Sequence, residues 1–556
     1  MKLIFTLSLF FLFTTAFSQS STYQFDEDFI RIWGLLKYYH PEVSVGKYDI
    51  NEVFFTEYQK LQTLETKEAF DQEMLYWIRS FGINQLEPKK KENPDPLFTA
   101  NLRTAWIDNS TFNPKLSDLL QRLQDNTNYQ DHYAKASKLS SSVDFRNETH
   151  LVDFDASKES HRLLFLGSFW NAMNYWNVNS YLTETPWDDV LTKLIPEFLR
   201  EGEENFEQAK EHLFSLLNDS HSNYESSFTL NSMTNFPNFG GRIVNDSLVI
   251  TRIYNQEALD IDSLYFGDVI YAVNDIPLEE FYSQKFSKVI SASNQNYLRS
   301  AIEKTYLFAS NEDSILINIL KTDGRNLKKY IRLKPLNYPA EKYSRIWPLE
   351  TKEWTELESD IGYINLNNID KSQLEEAFSH FEQHKGIIID LRNYPRNIDA
   401  NDIANFLYLE KTIFMKALVS TSRAYGEFIT KTALSIISNP FEAGKRNKSF
   451  FKGKVILLVD RLTGSKAEWI GMAIQASPNV ITIGEQTFGA VMNRNPIPLI
   501  DGTSIDFTGV GAFYPGGEGV QRKGLKLDLE IKESAVGYDK DLYVNTAIRL
   551  IRTGGN

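Results

Sequence analysis

Apolar and polar positions change their rhythm near residue 236, and the chain reads differently on either side of it. From about 340 to the end, short apolar runs alternate with helical stretches. Val455–Val459 is a continuous apolar run, the pattern of a strand buried on both faces. Thr463-Gly464 breaks it, Ala467–Ala476 has helical composition, and Val480–Ile483 is a second apolar strand. Strands are also predicted at Ile361–Leu366, Ile387–Leu391, Ile505–Phe507 and Leu527–Ile531, with helices at Gln373–Gln383 and Leu542–Ile551. This alternation predicts an α/β domain over 340–556 with strands at least partly parallel and its site at their carboxyl ends. Over 236–336 the pattern is of short strands: a hairpin at Gly241–Ile253 turning at Asn245-Asp246, a turn–strand–turn at Tyr265–Asp275, and strands at Ile315–Leu320 and Lys329–Leu333. That is a small β-rich domain of about 100 residues.

Residues 19–230 read as mainly helical, and two stretches of them look alike. Ile32–Tyr39 resembles Phe169–Trp176, and Ile50–Phe54 resembles Trp187–Leu191, both 137 positions apart (33 to 170, 50 to 187). A duplicated helical module is expected. At that spacing the second copy carries Ser220-His221 where the first has Ile83-Asn84, so the polar pair is not required by the module's packing. Residues 85–150 are polar, and Lys89–Asn93 among Pro88, Pro94 and Pro96 reads as an exposed loop.

A chain of 556 residues is too long for one core. Hydrophobic content of 42% and charged content of 24% make it globular, and a net charge of −14 argues against a nucleic-acid partner. The first residues carry Lys2, an apolar stretch Leu3–Phe13 and the small-x-small sequence Ala16-Phe17-Ser18. They read as a signal peptide over 1–18, with a mature chain starting near Gln19 in the periplasm or outside the cell. The apolar stretch is too short to span a bilayer. With no cysteine, thiol catalysis, disulfides and thiolate metal sites are excluded. No other segment suggests a stable membrane anchor.

Ser465 is the candidate nucleophile. It sits between an apolar strand and a helix, where its hydroxyl meets the open edge of a sheet near the positive end of a helix. Ser465-Lys466-Ala467-Glu468 also fits S-x-x-E, the capping box, in which serine and glutamate serve only a helix start. His380 and His384, four apart on a predicted helix, have metal-ligand spacing but read as surface residues. No metal or other cofactor is expected.

Five segments, in order, carry a family resemblance: Gly267-Asp268-Val269-Ile270 with Asn274, Asp390-Leu391-Arg392 with Asn393-Tyr394-Pro395, Thr463–Glu468, Gly484–Gly489, and Tyr514–Gly517 with Gln521 and Gly524. They resemble the C-terminal processing (tail-specific) serine peptidases and their tricorn-like branch. The likeness implies a multidomain α+β protein with an N-terminal helical region, a small β-rich PDZ-like domain and a C-terminal α/β (ClpP/crotonase-like) peptidase domain. It makes Ser465 the nucleophile. The lysine of the tail-specific Ser–Lys dyad falls at Ala490, which cannot accept a proton, and Lys466 is misdirected for the task. The tricorn-like branch implies His221 as general base, oriented by Ser220, with its acidic member at the position of Gln521; Glu518 is the alternative. The oxyanion donors implied are the N–H of Lys466 and one from Tyr394, Arg396 or Asn397, although Arg396-Asn397 replace the family's paired glycines. Phe239-Gly240-Gly241 is the implied carboxylate loop of the PDZ-like domain, which would take a polypeptide, often its C-terminus, by strand addition. Two rivals remain at this stage: an inactive peptide-binding protein on the same scaffold, and an acyl hydrolase acting on other substrates. The sequence does not specify an oligomeric state.

Overall fold

The computed structural model describes residues 24–553, apart from 84–85, 87–96, 99, 102–104, 109–110, 127–129, 138–141, 149, 304–305, 336–342, 345–351, 422–425, 434–438 and 539–540. The expected signal peptide at 1–18 and the proline-flanked loop at 88–96 lie outside the described residues. No helix among the described residues is long and apolar enough to cross a membrane.

The N-terminal region is built on two sets of helices, Gln24–Tyr39, Ile50–Leu61 and Lys67–Ser80, then Glu159–Trp176, Asp189–Phe198 and Glu203–Ser215. Asp49 caps the second helix by accepting the N–H groups of Asn51 and Glu52, and Thr66 caps the third by accepting that of Ala69. Equivalent contacts recur at the spacing of 137. Trp33 Nε1 donates to Ile50 O at 3.0 Å, and Trp170 Nε1 donates to Trp187 O at 2.8 Å. Equivalent positions also face each other. A Cβ on Gly34 would lie 1.8 Å from Asn171 Oδ1, while Asn171 Nδ2 donates to Ile30 O at 3.0 Å and Gly167 O at 2.9 Å. The long first helices of the two sets thus meet as across a local two-fold axis. Residues 85–150, hard to place from sequence, contribute a helix at Pro114–Gln124 and a short hairpin, Ala134–Ala136 with Val143–Phe145.

The β-rich region pairs Phe239–Val244 with Ser247–Ile253, which continues through Val269–Val273 and Ser314–Leu320 to Asn326–Arg332, all antiparallel. Its core runs from Met233 to Leu333 and includes Leu278, Tyr282, Leu298 and Ile302 from two helices laid on the sheet.

The third region is a sheet in the order Trp354–Glu358, Ile361–Asn365, Gly386–Asp390, Lys454–Val459, Val480–Gly484, Leu529–Glu530. All neighbours are parallel except the first pair. Alternate residues enter opposite cores. Ile387, Ile389, Val455, Leu457 and Val459 pack with the helices Lys371–His380, Ala400–Leu407 and Lys466–Gln475. Ile388, Ile456 and Leu458 pack under the C-terminal helix Leu542–Arg552. Burial on both faces explains the unbroken apolar runs.

Two connections set the geometry of the site. The hairpin Arg494–Pro498 with Ser504–Thr508 leaves the α/β region, and its Ile497, Leu499, Ile500, Ile505 and Phe507 join the core of the helical region. The strand expected at Ile505–Phe507 therefore exists, but outside the main sheet. Asn495 fastens the hairpin, its side chain exchanging hydrogen bonds with the Val143 backbone at 2.6 and 2.9 Å. Between the β-rich and α/β regions lies a buried ion network. Arg242 meets Glu485 at 2.5 Å and Glu533 at 2.8 Å, and Arg461 meets Glu485 at 2.9 Å and Glu303 at 3.1 Å.

Candidate active site

Ser465 lies at the carboxyl end of Lys454–Val459, an interior strand of the parallel sheet, and immediately precedes the helix Lys466–Gln475. The turn is built by its neighbours. Thr463 Oγ1 donates to Leu391 O at 2.8 Å and accepts the Asp460 N–H at 3.0 Å. Gly464 lies under Phe488, where a Cβ would come within 2.4 Å of the ring. Ser465 itself has φ +53° and ψ −117°, and its side chain makes no capping hydrogen bond. A non-glycine residue held in such a region costs about 1–3 kcal/mol. A capping serine has extended backbone and a bonded hydroxyl; this one has neither.

Glu468, the other end of the S-x-x-E pattern, is fully buried. It accepts from Thr487 Oγ1 at 2.6 Å, Gly489 N at 2.7 Å and Ala490 N at 3.0 Å. Burial pushes its carboxyl up to about 7, against these hydrogen bonds and that of the Ser465 N–H, which pull it down. Glu468 thus clamps the Gly484–Gly489 loop onto the helix Lys466–Gln475. Ala490 is fully buried in the position where a dyad lysine would stand.

His221 comes from the turn after the Glu203–Ser215 helix and is 2% exposed. It reaches the site through Phe488: the imidazole and phenyl centroids are 6.1 Å apart, and the Phe488 N–H donates to Thr463 O at 3.0 Å. One ring thus packs against both the Ser465 turn and the imidazole. His221 Nδ1 lies 2.9 Å from Thr508 Oγ1. Burial drives the imidazole pKa below its ordinary value, and the Asp219 charge opposes this only in part.

Other expected residues are placed differently from their implied roles. The Ser220 hydroxyl accepts the Ser293 N–H at 3.0 Å and donates to Phe488 O at 3.4 Å, so it ties the histidine turn to the Phe488 loop; the group on the imidazole is Thr508. Gln521 is buried, with Nε2 3.3 Å from Thr508 Oγ1 and Oε1 without a partner. Glu518 is exposed and paired with Lys526 at 2.9 Å. The Lys466 side chain is ion-paired to Asp399 at 3.0 Å, while its N–H, in the first helical turn, has no intrahelical acceptor. Of the expected oxyanion stretch, Arg396 N–H is already given to Asn367 O at 3.1 Å and Pro395 has none to give. Tyr394 and Asn397 remain; the Asn397 side-chain amide is held by Asn368 O at 2.8 Å.

The stretch Phe239-Gly240-Gly241 is not an open loop. Phe239 is buried in the β-rich core, and a Cβ on Gly241 would lie 2.3 Å from Val249 O, so close strand approach explains that glycine. The outer edge of Phe239–Val244 is also filled by the chain's own groups. Gly241 N–H donates to Glu303 O at 3.1 Å and Ile243 N–H to the Glu303 carboxylate at 3.1 Å. Arg252 and Arg461 cover the Gly241 and Ile243 carbonyls at 2.6 and 2.8 Å.

Among the described residues, Glu356, His380 and His384 are the group whose donor atoms come together as metal ligands would, within 4.8 Å of one another. His384 Nε2 is 3.3 Å from Glu356 Oε1. Glu356 and His380 are exposed, and His384 precedes Gly386–Asp390 at the amino end of that strand, opposite the Ser465 edge.

Sequence reasoning missed Asp219, Thr508 and Phe488. Asp219 directly precedes the Ser220-His221 pair and Phe488 falls within Gly484–Gly489; nothing local marks Thr508.

The structure thus places a strained serine beyond the carboxyl end of an interior parallel strand and a buried histidine against the Phe488 ring that covers the same turn. Residues 360–531 match the model of Peptidase family S41, a family of serine-type hydrolases, and this region is similar to the C-terminal processing peptidases. The Carboxy-terminal processing protease CtpA of Bacillus subtilis (strain 168) is 26% identical over 203 residues, 36% of this chain and 40% of that protein. The Nisin-resistance protein of Lactococcus lactis subsp. lactis is 23% identical over 244 residues, 41% of this chain and 70% of that protein. The chain thus spans less than half the length of the first of these relatives. The structure of mature CPAF complexed with lactacystin superposes with a TM-score of 0.55 at 10% identity, covering 71% of this chain and 98% of that one, a likeness of fold.

Proposed function

We propose that this protein is an exported serine endopeptidase that cleaves polypeptides through an acyl-enzyme on Ser465. The single observation that supports this best is the strained Ser465 turn at the sheet edge, with His221 packed against the same phenyl ring. Ser465 Oγ attacks the scissile carbonyl, and His221 takes its proton and returns it to the leaving amine. Lys466 N–H and a second N–H from Tyr394 or Asn397 receive the oxyanion. Ser465 and His221 are not hydrogen-bonded to each other here, and such contacts commonly tighten only when substrate binds.

The β-rich region is read as a PDZ-like domain. The rival reading, a peptide-binding protein on an inert scaffold, needs an open strand edge, and the one expected is filled by Glu303, Arg252 and Arg461. Peptide capture at this edge would require displacing Glu303.

The test is fluorophosphonate labelling of the mature protein beside Ser465→Ala and His221→Ala. Labelling of the wild type that is lost in both variants is the expected result. A folded wild type that does not label would overturn the peptidase reading.

A further inference from the structure

The hydrogen bonds around Thr508 determine which nitrogen of His221 carries its proton. The Asp219 carboxylate accepts the Thr508 main-chain N–H at 2.5 Å on Oδ2, and on Oδ1 it accepts the His221 main-chain N–H at 3.1 Å and the Thr508 hydroxyl at 2.8 Å. An ionised carboxylate has no proton to give, so in the 2.8 Å contact Thr508 must be the donor. A hydroxyl has one hydrogen and two lone pairs. With its hydrogen committed to Asp219, Thr508 Oγ1 offers only acceptance to its two remaining neighbours, Gln521 Nε2 at 3.3 Å and His221 Nδ1 at 2.9 Å. Gln521 fills one lone pair. The other takes a hydrogen from Nδ1, which leaves the lone pair of the neutral ring on Nε2.

We propose that Asp219 is a positioning residue of this site, acting through the Thr508 hydroxyl to hold His221 as the Nδ1–H tautomer, in place of the acidic member that Gln521 cannot supply. The inference rests on the reading of His221 as the base. Asp219, Thr508 and His221 are all buried, so water does not compete for these bonds. When the ring takes up the Ser465 proton, the carboxylate stabilises the imidazolium from one hydroxyl away. The arrangement does the work of the third member of a triad with an extra group in between. Gln521 is then a donor that completes the threonine oxygen, and its unpartnered Oε1 follows from turning its amide that way.

The ring nitrogens can be read without activity. In protein carrying 15N only in its 8 histidines, with the His221 signals assigned by difference from His221→Gln, Nδ1 should carry the proton and Nε2 should be bare at a pH where the ring is neutral. Thr508→Ser keeps the hydroxyl and should keep this pattern; Thr508→Val and Asp219→Asn should lose it. In parallel, the rate of fluorophosphonate labelling in Thr508→Val and Asp219→Asn should fall at least about 100-fold, the lower end of what a positioned base contributes, with Thr508→Ser close to wild type. The pH profile separates positioning from simple damage. Asp219, Arg494 and Asp506 are the charged groups that act on the imidazole, and Asp219 raises its pKa. Asp219→Asn should therefore lower the plateau and also move the midpoint to lower pH. A wild-type His221 protonated on Nε2, or a Thr508→Ser variant as impaired as Thr508→Val, would overturn the proposal. A folded wild type that does not label but shows the Nδ1–H pattern would count against the peptidase reading and leave the tautomer assignment standing.

Discussion

Ser465 should be replaceable by glycine with a gain in stability and a total loss of labelling. The backbone at this position, φ +53° and ψ −117°, is unfavourable for any residue with a Cβ, at a cost of about 1–3 kcal/mol. The hydroxyl makes no capping bond, so Ser465→Ala deletes little and keeps the strain; its stability should match wild type to within about 0.5 kcal/mol. Ser465→Gly removes the strain but adds the flexibility of glycine to the unfolded chain, which costs about 0.5–1 kcal/mol against alanine. The balance favours glycine over alanine by about 1 kcal/mol. In a cooperative unit of 150–250 residues this raises the melting temperature by about 2–4 °C. Calorimetric scans of the two variants under identical conditions give the comparison, and because neither labels, chemistry does not confound it. At an ordinary helical or capping position glycine would melt lower than alanine. If Ser465→Gly melts at or below Ser465→Ala, the turn is unstrained and the main structural argument for a nucleophile fails.

Labelling of the wild type should rise with pH through a single ionisation whose midpoint lies below the ordinary histidine value of 6.5, since burial favours the neutral ring, and then level off; a rise that continues into the lysine range would exclude His221 as the base. Burial alone would raise the Glu485 carboxyl, but Arg242 and Arg461 outweigh it and hold the group down at about 2. This carboxylate therefore contributes stability above its ordinary value of 4.5 that is lost as pH falls toward 2; Glu485→Gln should cost about 3 kcal/mol at neutral pH in denaturant melts and remove that part of the acid loss. For Glu468 the sign is reversed. Its folded pKa, raised from 4.5 to about 7, means that the folded state holds the extra proton between those values, so its contribution to stability declines as pH rises through that window. The stability of Glu468→Gln relative to wild type should improve from pH 5 to about pH 8 in the same melts. Chelators should leave labelling unchanged, because the Glu356, His380 and His384 cluster lies at the far end of the sheet from Ser465; loss of labelling in EDTA would contradict the metal-free reading.

What could be read in the sequence was whatever is fixed locally. The strand before Ser465, the helix after it and the strand beyond that fall within a residue or two of their expected limits, because burial on both sheet faces and a glycine break both write themselves into neighbouring residues. The likeness of the two N-terminal stretches is local in the same way: Trp33 and Trp170 are each 17 residues from the carbonyl they bond. Contacts formed at long range left no such mark. Thr508 meets His221 across 287 positions, through a hairpin whose apolar residues suit a core in either region; nothing in their order shows that the core is the helical one. Gly241 is ambiguous for a related reason, since a glycine needed for close strand approach looks the same in sequence as one that shapes a binding loop.

The Ser465 motif shows how geometry resolves such an ambiguity. S-x-x-E is satisfied equally by a capping box and by a nucleophile turn, and both place serine before a helix. A capping serine needs extended backbone and a hydroxyl turned back to the helix; here φ is positive and the hydroxyl is uncommitted, while Glu468 is used to hold Gly489 and Ala490. The polar pattern therefore survives with its bonds redistributed. Glutamate fastens the loop that carries Phe488, Phe488 packs against both Gly464 and His221, and the serine hydroxyl makes no capping bond.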